Sequence, residues 1–178
     1  MRIIETSRLT LEPQTAAHAD EMFVVLSDPA IYEYENQPPA SLDWLRERFA
    51  KLESRHSADG REQWLNWVVR VPPAELIGYV QATIRENGRA GIAYEFASRH
   101  WGRGLARCAV DAMIAELVER YRVKMLTAVL KRDNERSRRL LDRLGFSIAP
   151  PEVCAGADLE EEEIMMCCQA SRHPGGDG

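Results

Sequence analysis

Tyr94-Glu95-Phe96-Ala97-Ser98-Arg99-His100-Trp101-Gly102-Arg103-Gly104-Leu105-Ala106 is the stretch on which the fold turns. A strand pattern, Gly91 to Ala97, runs into a turn with two glycines and directly into a helical period from Arg103 to Tyr121. Val110, Ile114, Leu117, Val118 and Tyr121 recur on one face of that helix. The first turn of a helix carries unpaired backbone N–H groups and the positive end of the helix dipole. Glycines let a ligand come close to that backbone, so the geometry suits a phosphate or pyrophosphate. Arg103 and Arg107 add positive charge at the end where the dipole opposes it, which again points to an anion. The stretch lacks the Gly-Lys-Ser/Thr ending of a P-loop and the full dinucleotide fingerprint, and a plain strand–helix turn would also produce it.

Upstream of this stretch the pattern is mostly of strands. Trp64 to Val71, a Pro72-Pro73 turn, Leu76 to Arg85 and an Asn87-Gly88 hairpin signal lead into it, so these three strands are antiparallel neighbours. Arg8 to Glu12 alternates as a first strand. Thr15 is placed to cap a helix carrying Met22, Phe23 and Leu26, which ends near Asp28-Pro29. Ser41 caps a second helix through Leu42, Leu45, Phe49 and Leu52. Downstream, Lys124 to Leu130 reads as a strand, Glu135 to Leu144 as a helix stopped by Gly145, and Glu162 to Gln169 as a last strand. The pattern predicts an α/β (α+β) fold, with a mostly antiparallel mixed sheet of about six to seven strands and about four helices. It fills one domain over residues 1–170, with 171–178 as a disordered tail.

Composition narrows the function classes. Lys and Arg number 23 against 28 Asp and Glu, a net charge of −5, so the footprint of a dedicated nucleic-acid binder is missing. Apolar runs fall short of the ~18 residues that cross a bilayer. The N-terminus, Met1 to Thr6, has no apolar core of a secretory signal. Four cysteines without a metal-knuckle spacing read as reduced thiols, with Cys154 in a polar loop. A cytoplasmic protein with no metal, nucleic-acid or membrane partner is therefore expected.

A second constellation follows the strand Lys124 to Leu130. Asn134 and Ser137 stand three apart at a helix start, and the helix ends Leu144-Gly145-Phe146. N-capping explains Asn134 alone, but not the order of both segments. In that order the sequence resembles the GNAT superfamily of acyl-CoA-dependent N-acyltransferases. Thr6-Ser7-Arg8-Leu9-Thr10-Leu11-Glu12-Pro13, Leu26-Ser27-Asp28-Pro29 and Leu76-Ile77-Gly78-Tyr79 are similar to the branch of ribosomal-protein alanine acetyltransferases (RimJ/RimL-like). The resemblance spans roughly residues 5 to 147.

The resemblance implies a GNAT fold and transfer of acetyl from acetyl-CoA to a primary amine, on a protein N-terminus or a small molecule. The family signature falls on Trp101-Gly102-Arg103-Gly104-Leu105-Ala106, although a register beginning at Arg99 also fits. By that carry-over, backbone from Gly102 through Arg103, Gly104, Leu105 and Ala106 to Arg107 holds the pyrophosphate. Pantetheine lies between the strand ending Tyr94-Glu95-Phe96 and the following one, touching Asn134 with Ser137 beside it. The sequence departs from the family at both expected catalytic positions, which are Leu141 and Val129. Glu95, a carboxylate in an apolar strand, is the candidate base, against a solvated strand face. The loop with Tyr32, Glu33, Tyr34 and Glu35 is the candidate acceptor lining, Tyr32 and Tyr34 above all. A non-catalytic acyl-CoA-binding protein and a nucleotide-binding module are the competing expectations. Pairing of exposed edges of the late strands is a route to a homodimer.

Overall fold

The computed structural model describes residues 1–34 and 36–170. In chain order it comprises β1 (Ile4–Glu5), β2 (Thr10–Pro13), α1 (Ala19–Leu26), α2 (Leu42–Leu52), β3 (Glu62–Val71), β4 (Glu75–Arg85) and β5 (Arg89–Phe96). There follow α3 (Leu105–Glu119), β6 (Met125–Lys131), α4 (Glu135–Arg143), β7 (Ser147–Ile148), α5 (Pro151–Cys154) and β8 (Glu163–Gln169). The strands form one sheet in the order β1-β2-β3-β4-β5-β6-β8-β7. The α/β expectation holds, with eight strands among the described residues where six or seven were expected. The excess lies in β1 and β7, two residues each and too short to show alternation. The fifth helix, four residues after Pro150, takes in Cys154, which had read as loop. The expected tail 171–178 lies outside the described residues.

The alternation of β3 divides the core. Leu65, Trp67, Val69 and Val71 face one side, where they bury against Val110, Met113, Ile114 and Leu117 of α3. Burying each such side chain is worth about 1.5–3 kcal/mol, which holds α3 on the sheet. Val68 faces the other side with Leu76, under Met22, Val25 and Leu26 of α1 and Leu45 and Phe49 of α2. Ser41 caps α2 as expected, accepting from the Trp44 N–H. Thr15 instead opens a single 3-10 turn, Ala16–His18, in a capping box with His18, and α1 starts only at Ala19.

The β4–β5 hairpin is antiparallel throughout, with Tyr79 opposite Glu95 and Gln81 opposite Ala93. The next pairing is different. β5 and β6 run parallel and pair only at Arg89 with Met125, Ala90 with Leu126 and Gly91 with Thr127. Beyond Gly91 the two strands part, while β5 stays on β4 as far as Phe96 and β6 stays on β8 as far as Lys131.

Asp28 joins the α1–α2 connection to the turn after β5. Its Oδ1 accepts from the Ala30 N–H at 3.1 Å, capping a 3-10 turn, and its Oδ2 accepts from the Ser98 N–H at 2.7 Å. Hydrogen bonding from Ser98 above all holds this carboxyl below its usual range. The folded-state value is the lower one, so its stabilisation is present above the ordinary carboxylate range and is lost as pH falls through the folded value. We expect Asp28→Ala to cost about 1 kcal/mol at neutral pH, and the difference in Tm from wild type to narrow in acid. Thermal unfolding of both proteins from pH 7 to pH 3 checks this, and a gap that stays constant across that range refutes it.

Candidate active site

The parting of β5 and β6 opens a cleft of about 470 Å³. Its lining includes Ile92, Ala93, Tyr94 and Glu95 of β5, Ala128, Val129 and Leu130 of β6, and Asn134 and Ser137 of α4. Tyr32, Tyr34, Asn36 and Gln37 come from the α1–α2 connection, and Trp44, Arg48 and Phe49 from α2. Tyr79 and Gln81 of β4 floor it. The residues singled out from sequence on β5, at the start of α4 and in the acceptor loop thus meet in one place. Glu35 lies outside the described residues.

At the α4 end, Asn134 Oδ1 accepts from the Ser137 N–H at 3.0 Å, so the capping role is real and uses the oxygen. Ser137 Oγ shares a 2.7 Å hydrogen bond with the Tyr94 hydroxyl, which ties α4 to β5 across the gap. Phe96 does not enter the cleft. Its ring is buried in the α3-side core, and its carbonyl accepts from Trp101 Nε1 at 2.8 Å.

The glycine turn leads into α3 as its sequence demands. Gly104 is the N-cap, with φ of 74°, and Gly102 has φ of 72°, a region in which a side chain is strained. A Cβ on Gly102 would meet nothing within 4 Å, so that backbone is open to a ligand. Among the described residues no side chain caps α3, and its first turn holds no acidic residue, whereas α2 and α4 have side-chain caps. Helix formation begins at Leu105, not at Arg103. Leu105 itself is buried, so it offers backbone only, as does partly buried Ala106. Arg103 reaches His100 Nδ1 at 3.2 Å, and His100 Nε2 lies 3.1 Å from Glu75 Oε1, which also takes Arg99 at 2.8 Å. His100, 7% exposed, is thereby structural. Residues 102–107 lie outside the cleft lining, at the helix start beyond the end of β5.

Glu95 sits on the cleft floor. Asn36 Nδ2 donates to Glu95 Oε1 at 3.1 Å, and Tyr79 stands directly opposite Glu95 on β4. Burial first, then the Glu95 charge, pushes the Tyr79 phenol well up. The candidate base is thus oriented by the Asn36 amide. Tyr32 lines the cleft, but its hydroxyl donates to the Leu26 carbonyl at 2.7 Å and is already engaged. Burial, with Glu95 and Asp28 nearby, raises its ionisation far above the ordinary phenol range. Val129 lines the cleft and is 41% exposed, while Leu141 is 1% exposed in the core, so neither position carries a proton. Cys108, partly buried on α3, is no part of the lining.

Sequence reading missed Tyr79, Gln81, Gln14, Asn36 and Arg48. The hairpin register carried the signal for the first two, since it sets Tyr79 beside Glu95. Among the described residues, no group of three or more His, Cys, Asp and Glu is placed to hold a metal ion, and no helix is long and apolar enough to cross a membrane.

The role of Tyr32 can be checked directly. Tyr32→Phe leaves the Leu26 carbonyl without its donor and should cost about 1 kcal/mol, read by urea denaturation. It should leave the pH dependence of any activity unshifted, and the loss of an alkaline limb would refute a purely structural hydroxyl.

Comparison with known proteins matches this geometry. Residues 8–147 fit the model of the acetyltransferase (GNAT) domain. The uncharacterized N-acetyltransferase p20 of Bacillus licheniformis is 28% identical over 148 residues, covering 82% of this chain and 83% of that one. The RimL ribosomal L7/L12 α-N-protein acetyltransferase, solved in complex with coenzyme A, superposes with a TM-score of 0.80 over 96% of this chain and 99% of that one, at 16% identity. The ribosomal-protein-S5-alanine acetyltransferase of Vibrio fischeri gives 0.77 over 95% and 97%, at 17% identity, so fold is shared well beyond sequence. With most of its length matched by the family model and its sheet parted at β5 and β6, the chain belongs to the GNAT acetyltransferase family.

Proposed function

We propose that the protein transfers an acetyl group from acetyl-CoA directly to a primary amine, on a peptide N-terminus or a small molecule. The observation that carries this is the parting of β5 from β6 after Gly91 and Thr127, beside the uncapped N-terminus of α3. An extended pantetheine arm fits such a gap in the manner of an added strand. The RimL structure, which shares the fold, holds coenzyme A.

The residues present fit that cofactor. Backbone N–H groups at the start of α3, with Gly102 leaving the backbone open, the Arg8 guanidinium packed beside Gly104, and Arg103 and Arg107 adding charge, would take the pyrophosphate. Asn134 has its amide nitrogen left over from capping, and Ser137 stands beside it, so both can meet the amides of the arm. Acetyl-CoA, when bound, supplies the thioester carbonyl that the acceptor amine attacks. Glu95 takes the proton from the acceptor ammonium, and a backbone N–H of β5 near Phe96 polarises the acetyl oxygen. The new bond is C–N, the C–S bond breaks, and the thiolate sulfur leaves with the electron pair. With Leu141 and Val129 unable to donate, water in the open cleft would carry to the departing sulfur the second proton, which the attacking nitrogen gives up as the amide forms.

Gly104→Glu places bulk and negative charge at the helix start and should abolish the rise in Tm that saturating acetyl-CoA gives the wild type. Asn134→Ala should weaken cofactor affinity. Glu95→Gln should keep that affinity and lower kcat by about 10²–10⁴-fold, the usual worth of a general base. A folded Gly104→Glu protein that binds acetyl-CoA like wild type would sink the assignment. Cofactor binding without thiol release from any amine would mark a binding protein instead.

A further inference from the structure

The far end of the cleft holds a buried amide that the acetyl-transfer chemistry does not use. Gln14 follows β2 directly, lines the cleft and is 3% exposed. Its backbone is fixed at both ends, donating to the Asn66 carbonyl at 2.9 Å and accepting from Arg55 Nη2 at 3.1 Å. Its side-chain Nε2 is buried with no hydrogen-bond partner among the described residues. A buried amide without a partner costs stability, so its presence calls for a reason.

The register supplies one. Gln14 stands opposite Asn66, Asn66 opposite Gln81, and Gln81 opposite Ala93. Directly opposed residues share a face, so three carboxamide side chains form a row across β2, β3 and β4 that ends at Ala93, where β5 parts from β6. Three interstrand steps of about 4.8 Å put Gln14 about 14 Å from that edge. Above the row, Leu45, Phe49 and Leu52 of α2 form an apolar wall. Among the described lining residues Glu95 is the one carboxylate, and the charge toward α2 is the cation Arg48. A second ammonium at this end would meet amides and a cation.

We propose that Gln14 is a specificity residue at the distal end of an elongated acceptor subsite. It hydrogen-bonds a carbonyl or carboxamide carried about 10–14 Å from the reacting nitrogen. The acceptor it selects is an extended amine of peptide-like chemistry, about three residues long, and not a polyamine. The proposal rests on the acetyl-transfer reading only for which end of the acceptor reacts.

The test is calorimetric titration of the full chain, with coenzyme A present, using alaninamide, trialaninamide and spermidine as probes. Trialaninamide should bind about tenfold more tightly than alaninamide, the worth of one hydrogen bond to a buried amide. Gln14→Met should remove that ratio while its Tm stays level or rises by about 2–4 °C, because an unpaired amide has been taken out of the core. Equal affinity for the two amides, an undiminished ratio in Gln14→Met, tighter binding of spermidine, or a Tm loss above about 2 °C each overturns the proposal. The chain-length comparison in wild type decides even where the variant does not fold. Failure of the acetyl-transfer reading shows separately, as absence of thiol release from acetyl-CoA while the affinity ratio persists.

Discussion

The three-residue pairing between β5 and β6 is the constraint from which the rest of the site follows. Backbone N–H and C=O groups demand partners, and a central strand that leaves its neighbour part-way exposes a row of them. Here each strand remains anchored on its other side, β5 on β4 and β6 on β8, so neither can shift to close the gap. Among the described residues side chains cross it, Tyr94 to Ser137 and Arg136 to Trp101, in place of a ladder. A molecule with alternating amide groups is the natural complement to such an edge. The uncapped α3 lies just beyond the end of β5, so an open strand edge and a free helix N-terminus stand next to each other.

Much of this was legible in the chain. The apolar period of α3, the Asn87-Gly88 hairpin and the Ser41 and Asn134 caps each express a local preference that the packing leaves intact. The two-residue strands β1 and β7 were not legible, because two residues show no period and pair only where the sheet offers an edge. The same limit applied at Thr15, where a capping box closed on His18 within one 3-10 turn and displaced the helix start. The helix at Arg103 began late because Gly102 and Gly104 both take the left-handed region, which no periodicity of apolar residues reports.

The site was less legible than the fold, and for a different reason. Residues near in sequence, such as Tyr94 and Glu95, were found, whereas Tyr79, Gln81 and Gln14 become neighbours only through strand register. A one-residue error in register turns every side chain to the opposite face, so a pattern of polar residues within strands has no meaning until pairing is known. Gln81 of β4 belongs to the cleft floor only because pairing sets it beside Asn66 and Ala93.

The two halves of the cleft differ in how they are held. The half beside β5 and β6 rests on strands and on α3, packed by large buried side chains. The acceptor loop is fastened by polar contacts. Among the described residues these include Asp28 to Ser98, Tyr32 to the Leu26 carbonyl, Asn36 to Glu95, and Glu33 to Arg136 at 3.3 Å. Arg136 also stacks on Trp101, its guanidinium carbon 3.4 Å from a ring centre. Exposed ion pairs contribute about 0–1 kcal/mol each, so Glu33 and Arg136 add little to stability. Asp28 is different, because its two oxygens satisfy two backbone donors on separate segments. The loop that carries Tyr32, Tyr34 and Asn36 therefore takes its position from the same turn that leads to Gly102 and Gly104. A displacement at that turn is felt in both halves, so the loop lining the cleft and the glycine turn before α3 hold their positions together.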